Sequence, residues 1–223
     1  MRTHGMGLFA EMMDFDPPNN EAARARFDKD YFRKRLAVPG ICGAASYEAI
    51  KGTPRFLHLY EADDVHAFYS EAFKEAVAPS EDEDEGIEKA KTAGVRLVCA
   101  QIYPALPINT PACPTVDLAG LAPVVQFGRI FVPPEKRADF NGWYAQERAP
   151  LVKKVPGIRR IRRYAPVEGD EVMVVLYEME DESVTQTAEW KEMMSTDWTA
   201  RVRGYYRQAE GSPGVYRRCG IAY

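Results

Sequence analysis

The stretch Val155-Pro156-Gly157-Ile158 decides the fold, because the same four residues occur earlier in the chain as Val38-Pro39-Gly40-Ile41. The two copies are 117 residues apart in a chain of 223 residues. At the same offset, and without a gap, several other residues coincide: Tyr47 with Tyr164, Gly52 with Gly169, and Leu59-Tyr60-Glu61 with Leu176-Tyr177-Glu178. Agreement over so long a span is typical of an internal repeat. The chain is therefore predicted to be a tandem duplication of one structural unit.

Each unit is predicted to have the element order βαββαβ. In the first unit, apolar or alternating runs predict strands, and apolar residues at helical spacing predict helices. Val38-Pro39-Gly40 ends the first helix, because proline lacks a backbone donor and disfavours a helical conformation at the residue before it. The predicted strands cover residues 6–13, 41–50, 55–61 and 95–103, with helices between the first and second strands and between the third and fourth.

This order is the split βαβ, or ferredoxin-like, pattern, an α+β arrangement in which a four-stranded antiparallel sheet carries both helices on one face. The other face of such a sheet is apolar and needs a cover, which the second unit supplies. We therefore predict two tandem ferredoxin-like repeats whose antiparallel sheets pack face to face as a pseudo-dimeric α/β barrel around a cavity. The predicted boundaries are residues 1–104 for the first repeat, 105–122 for a proline-rich crossover linker and 123–223 for the second repeat.

The composition argues against several classes of function. A formal net charge of −4 and a pI near 5.6 do not fit a nucleic-acid-binding surface. No apolar run approaches the roughly 20 residues of a membrane span, and the N-terminus lacks the charged-then-apolar order of a signal peptide. The four cysteines show no CxxC spacing and are expected to be reduced. We expect a cytoplasmic protein that binds neither membrane nor nucleic acid.

Motifs that hold cofactors are missing from the sequence. It has no HxH, HxxxH or HExxH spacing for a metal, no glycine-rich dinucleotide or phosphate loop, and no GxSxG nucleophile elbow. We therefore expect no metal site and no resident cofactor. Haem bound through His58 or another histidine is the alternative.

Three stretches of the second repeat carry a resemblance to a known superfamily: FNGWYAQER at residues 140–148, VPGI at residues 155–158, and Arg163-Tyr164. They resemble the dimeric α/β-barrel superfamily, nearest to its EthD-like members. The resemblance implies a small molecule bound in the barrel. Relatives of this kind carry out cofactor-independent oxygenation, polyketide cyclisation, muconolactone isomerisation, decarboxylation or haem chemistry. Where EthD-like helices commonly carry Glu-His, this chain has Glu147-Arg148, so the role of that histidine does not transfer.

The candidate catalytic residues are His58, Tyr60 and Tyr177. Strand alternation places His58 and Tyr60 on one face, and the second repeat has Val175 where the first has His58. A histidine in place of valine is costly to bury without a partner, and near neutral pH it can act as a general acid or base. Either tyrosine could donate to an oxyanion. The alternatives are a hydrogen-bonded core histidine and tyrosines that only pack.

The candidate substrate-binding residues are His4, Arg129, Trp143, Tyr144 and Arg148. His4 precedes the first strand and could enter the cavity from its mouth. Trp143 and Tyr144 are adjacent on a helix, so at least one of them is expected to pack on the sheet. Arg148 could close over an anionic ligand or form a surface salt bridge, and Arg129 could bind a carboxylate if it points into the cavity. The further arginines of the same repeat are interpreted as an exposed strand face: Arg159, Arg160, Arg162 and Arg163.

The leading hypothesis is a cofactor-independent lyase, isomerase or cyclase. It would act by proton transfer on a small aromatic or polyketide-like compound in the barrel cavity, as in the catabolism of aromatic compounds. One alternative is a non-catalytic EthD-like accessory protein that binds a small molecule. The other is a cofactor-free or haem-dependent monooxygenase. Association of two pseudo-dimers into a homodimer is open.

Overall fold

The computed structural model describes residues 7–15, 32–78, 91–103 and 121–222. Its strands are β1 (Gly7–Phe15), β2 (Ile41–Lys51), β3 (Phe56–Ala62), β4 (Lys91–Tyr103), β5 (Val124–Phe131), β6 (Ile158–Glu168), β7 (Met173–Met179), β8 (Arg207–Gln208) and β9 (Gly214–Ala222). Its α-helices are α1 (Glu71–Val77), α2 (Arg137–Trp143), α3 (Ala149–Val152), α4 (Ala188–Met193) and α5 (Asp197–Arg203). Short 3₁₀ helices cover Val65–Tyr69, Pro134–Lys136 and Glu182–Gln186, a π-helix covers Tyr144–Arg148, and residues 32–36 are α-helical. His4 and almost all of the predicted linker lie outside the described residues.

Eight strands close into one antiparallel β-barrel. Their order is β7-β6-β4-β1-β3-β2-β9-β5, and β5 pairs again with β7 to complete the ring. The short β8 pairs with the end of β5. The protein is therefore a mixed α+β structure built on a closed eight-stranded barrel.

The two halves of the chain have the same strand order and the same register. The order is β4-β1-β3-β2 in the first half and β9-β5-β7-β6 in the second. Glu11 of β1 faces His58 of β3, and Gly128 of β5 faces Val175 of β7, so the register repeats at the offset of 117 residues. The offset found in the sequence therefore relates geometrically equivalent positions.

The VPGI stretches form the same turn in both halves. Gly40 has a φ of 90° and Gly157 a φ of 81°, a conformation that glycine adopts without strain. The carbonyl of Gly40 accepts from the amide of Asp63 at 2.9 Å, and that of Gly157 accepts from the amide of Glu180 at 3.0 Å. Each turn thus connects a helix to the second strand of its half and fixes that strand against the end of the third.

The halves face each other and also join along both edges. Strand β4 pairs with β6, and β2 pairs with β9. The described interior is a core of fully buried side chains from both halves, such as Leu57, Leu59 and Leu176. Apolar side chains from the two inner faces therefore meet in the described interior of the barrel.

The outer face of each half is covered by its own helices. In the first half, Phe9, Tyr60 and Phe73 belong to a second buried cluster. In the second half, Phe140, Tyr144 and Tyr177 belong to a third. Each sheet therefore has two buried faces, one towards the other half and one towards helices.

The expected exposed face of arginines on β6 is wrong for Arg162 and Arg163, which are 1% and 5% exposed. Arg162 points into the barrel and pairs with Glu61 and Glu178, and Arg160 pairs with Glu178 at 2.5 Å. Buried charges of this kind persist because each has a partner of opposite sign. Of the four arginines in this stretch, Arg159 is the one whose residue is exposed.

Candidate functional site

A pocket of about 60 Å³ lies between the second half of the sheet and its helices. Strands β5 and β7 form one wall, and the segment from α2 to α4 forms the other. The residues central to its chemistry come from both walls: Gly128, Val175, Tyr177, Trp143, Tyr144, Arg148 and Met194. The pocket is therefore on the helix side of the sheet, outside the barrel interior.

The π-helix brings Tyr144 and Arg148 to the pocket. Pro150 lacks an amide hydrogen, and in a regular α-helix its ring would collide with the carbonyl of Gln146. The wider π turn directly before α3 relieves this conflict, and such turns occur often at functional sites. Tyr144 and Arg148 are 1% and 4% exposed, and Trp143 is buried beside them.

The hydroxyls of Tyr144 and Tyr177 form a hydrogen-bonded pair in the pocket. Tyr144 donates to Tyr177 across 3.2 Å. Burial, together with the nearby Tyr177, raises the pKa of Tyr144 well above its usual value, so its hydroxyl stays protonated at neutral pH. A hydrogen bond between two hydroxyls uses one hydrogen, so the other hydrogen of the pair is left for a ligand.

Arg148 is a buried cation without a carboxylate partner among the described residues. Its guanidinium lies over the ring of Trp143, 4.7 Å from the centroid, and its Nη1 donates to the Met194 sulfur at 3.0 Å. Its Nε is buried without a hydrogen-bond partner. The expected alternative of a surface salt bridge is therefore wrong.

The acidic neighbour of Arg148 is bonded elsewhere. Glu147 accepts from the Trp143 indole at 3.1 Å and from the Thr196 hydroxyl at 2.7 Å. This carboxylate fixes the orientation of Trp143 and connects the π-helix to the start of α5. It does not neutralise Arg148.

Arg163 supports the pocket from behind and was missed as a site residue. Its guanidinium lies 4.2 Å from the centroid of the Tyr144 ring, and its Nη2 donates to the Asn141 side chain at 2.8 Å. Burial lowers the pKa of Arg163. The signal that could have identified it is the repeat, because Arg163 is the equivalent of Ser46, the partner of His58 in the first half.

No protein family matches the sequence, and no curated protein does. Solved structures match over nearly the whole chain. An anthrone oxidase-like protein superposes with a TM-score of 0.61 at 10% identity, covering 99% of this chain and 93% of its own. A chlorite dismutase variant from Candidatus Nitrospira defluvii gives 0.61 at 13% identity, with 99% and 93% covered. A protein from Lactobacillus acidophilus with a suggested monooxygenase function gives 0.55 at 11% identity, with 99% of both chains covered.

The chain has the dimeric α/β-barrel fold. At these identities the likeness is one of fold, because unrelated reactions share such folds. The activity has to be argued from the pocket.

His58 and Tyr60 face the helices of the first half, as alternation predicts for their shared face. The inner face of β3 carries Leu57 and Leu59 instead. The expectation that His58, Tyr60 and Tyr177 point into the barrel is therefore wrong, since all three lie on the helix side. His58 and Tyr60 are absent from the lining of the described pocket, and Tyr177 is part of it.

His58 has hydrogen-bond partners in its own half. Its Nδ1 lies 2.9 Å from the Ser46 hydroxyl, and its ring packs 6.3 Å from that of Phe32. The Tyr60 hydroxyl accepts from Arg35 at 3.3 Å, and Arg35 also pairs with Glu11 at 2.6 Å. The first half thus places a polar network where the second half has its pocket.

The remaining predicted binding residues are dispersed. Arg129 is 4% exposed, and its Nη2 donates to the Glu210 carbonyl at 2.5 Å. It alternates with the pocket residues Gly128 and Ile130 along β5, so it points away from the pocket. Of the eight predicted site residues, the structure brings together four: Trp143, Tyr144, Arg148 and Tyr177.

Haem does not fit this pocket. Its described lining contains no histidine or cysteine, and the Met194 sulfur already accepts from Arg148. The volume of about 60 Å³ is also far below the ~300–1,000 Å³ of pockets for large ligands. His66 is exposed and paired with Asp64, and no cluster of three potential metal ligands occurs among the described residues. Within the same ranges, no helix has both the length and the apolar character needed to cross a membrane.

Proposed function

We propose that the chain is a cofactor-independent enzyme that acts on a small aromatic or polyketide-like molecule in the pocket of its second half. The observation that carries the proposal is the Tyr144–Tyr177 hydroxyl pair in an otherwise aromatic pocket. A buried donor directed at the ligand can stabilise an enolate or phenolate oxygen. The reaction class is proton transfer to the enolate of an isomerisation, a cyclisation or a carbon–carbon bond cleavage.

The pocket is better suited to donating a proton than to removing one. Its described lining contains no carboxylate, imidazole or thiol. The substrate therefore enters as an enolate, or becomes one when a carbon–carbon bond breaks. The Tyr177 hydroxyl donates its proton to the substrate carbon, and Tyr144 passes its own proton to the Tyr177 oxygen. A water molecule then gives a proton to the Tyr144 oxygen and leaves as hydroxide, which balances the proton placed on the substrate and completes the cycle without a cofactor.

The origin of the pocket follows from the repeat. The equal strand order, register and VPGI turns support two tandem ferredoxin-like repeats of common ancestry, at residues 1–104 and 123–223. The FNGWYAQER segment, which supplies Trp143, Tyr144 and Arg148, supports kinship with EthD-like proteins. Among the described residues, this pocket belongs to the second half. In the first half, Glu11 and His58 replace Gly128 and Val175.

A second candidate is a cofactor-free monooxygenase. Two of the fold neighbours are anthrone oxidase-like and of suggested monooxygenase function. An enolate held in this pocket could transfer an electron to dioxygen instead of accepting a proton. The third alternative, a binding protein without catalysis, predicts ligand binding but no product.

The experiment is turnover of a panel of aromatic acids, lactones and 1,3-dicarbonyl compounds, followed by mass spectrometry and an oxygen electrode. We expect conversion without oxygen consumption, reduced in Tyr177→Phe. Oxygen consumption matched to product would establish the monooxygenase. Binding without any conversion would overturn the proposed enzyme and leave the binding protein.

A further inference from the structure

We infer that the ligand of this pocket carries a carboxylate, which Arg148 binds through its guanidinium edge while the side chain of Met194 moves aside. The inference rests on the proposed function, because it names the substrate class of the same pocket. It goes further in identifying the group that anchors the substrate.

The buried arginines differ in how their positive charge is balanced. The buried Arg162 is compensated by Glu61 and Glu178, and the buried Arg35 by Glu11. Arg148 is as well buried, yet no described carboxylate pairs with it. A charge removed from water is costly unless an opposite charge accompanies it. The buried Arg129 and Arg163 also lack a carboxylate, but they donate to neutral oxygens of Glu210 and Asn141. Arg148 has no oxygen acceptor among the described residues, and an anionic ligand would supply one.

The geometry of the Arg148 guanidinium leaves one edge for a ligand. Trp143 covers one of its faces, so the polar edge is the part available for hydrogen bonds. Of its three nitrogens, only Nη1 has a hydrogen-bond partner among the described residues, and that partner is a thioether sulfur, a weak acceptor. The edge formed by Nε and Nη2 matches the two oxygens of a carboxylate.

The side chain of Met194 can move to admit a ligand. Its side chain is unbranched and adaptable, and it lines the pocket beside Arg148. In the free protein its sulfur accepts a hydrogen bond from Nη1 of Arg148, and the buried Nε of Arg148 has no hydrogen-bond partner. The carboxylate binds the Nε–Nη2 edge, so the shift of Met194 serves to enlarge the pocket, and it gives up only a weak sulfur contact with Nη1.

The other buried arginine near the pocket is less suited to the role. Arg163 is not part of the pocket lining, and its guanidinium lies against the Tyr144 ring. Its Nη2 is already bonded to Asn141. The volume of about 60 Å³ limits the ligand to a short carboxylate, and a single ring enters only when Met194 moves aside.

The test is isothermal titration calorimetry of the full-length protein with benzoate and phenylacetate, each compared with its neutral amide. The variants are Arg148→Met, which removes the charge, and Arg148→Lys, which keeps the charge but loses the planar edge. Arg217→Met is the matched control, since Arg217 is exposed and pairs with Glu182 far from the pocket. In the wild type we expect at least one acid to bind at least about tenfold more tightly than its amide. Arg148→Met should abolish that preference, Arg148→Lys should weaken it, and Arg217→Met should retain it.

Several outcomes would overturn the inference. They are equal binding of acid and amide, a preference that survives Arg148→Met in a folded protein, and no binding of either acid up to 10 mM, roughly the weak limit of specific association. Failure of the proposed function would give a different pattern of results from failure of the carboxylate site. If acids bind and depend on Arg148 but no compound is converted, the carboxylate site stands and the enzyme does not. If neutral compounds are converted in a Tyr177-dependent reaction, the enzyme stands and the carboxylate does not.

Discussion

Glu61 and Arg162 form a buried ion pair that joins the two halves of the chain inside the barrel. Glu61 is the last residue but one of β3 in the first half, and Arg162 belongs to β6 of the second. Arg162 also donates through Nε to Glu178 at 2.9 Å, and Glu178 is the equivalent of Glu61 in the repeat. One arginine therefore neutralises the same carboxylate position of both halves.

Replacing Arg162 by Met should destabilise the fold strongly. It leaves Glu61 without its closest cation and Glu178 with Arg160 alone, and breaking a buried pair in this way costs about 3–5 kcal/mol. The free energy of unfolding, measured by urea titration, gives the effect. Arg217→Met, which breaks an exposed pair, should cost less than about 1 kcal/mol. Similar losses in the two variants would contradict a structural role for the buried cluster.

The same cluster should make stability depend on pH. Burial acts to raise the pKa of Glu178, but Arg162 and Arg160 outweigh it and hold the pKa below its usual value. The stabilisation is therefore complete above the unfolded pKa of about 4.3 and is lost as the pH falls through the lower folded value. The difference in unfolding free energy between wild type and Arg162→Met should be largest near pH 7 and shrink towards pH 3. A difference that stays constant over this range would count against ionised Glu178 as the cause.

Tyr177→Phe should reduce kcat by about 10²-fold with a smaller change in KM, because it removes the hydroxyl directed at the ligand. Tyr144→Phe is the matched control. It removes the donor behind Tyr177 but leaves the Tyr177 hydroxyl in place, so the expected loss in kcat is less than about tenfold. Steady-state kinetics on the substrate found in the turnover panel separates the two. A greater loss in Tyr144→Phe would reverse their assigned roles.

Gly128→Leu should close the pocket without unfolding the protein. A Cβ at Gly128 would meet its neighbours at 3.7 Å or more, so the backbone accepts a side chain there. Leucine extends from this pocket-lining position into the free volume, whereas Gly128→Ala adds only the Cβ. Ligand-induced thermal stabilisation should disappear in the leucine variant and persist in the alanine variant. Full ligand binding by a folded Gly128→Leu protein would show that the ligand lies elsewhere.

The sequence predicts the fold well because the repeat constrains it. The VPGI turns, the strands around them and the pairing of equivalent residues all follow from one offset.

The sequence does not show which face of the sheet bears the pocket. Each sheet has two buried faces, so Leu57 and His58 both occupy protected positions, and alternation cannot tell barrel interior from helix layer. It also fails for Arg162, whose partner Glu61 is 101 residues away and gives no local signal. The π-helix was missed although Pro150 is a local signal that a regular α-helix cannot continue there.

His58→Val tests which half carries the chemistry, because valine is the residue that the second half has at this position. If the pocket of the second half is the active site, turnover by His58→Val should stay within about twofold of wild type. The loss of the Ser46 contact should appear only as a stability cost of about 1 kcal/mol. The reciprocal change, Val175→His, puts a larger polar side chain into the pocket wall and should abolish ligand binding. The opposite pattern, with turnover lost in a folded His58→Val protein and kept in Val175→His, would place the active site in the first half, with His58 as its acid or base.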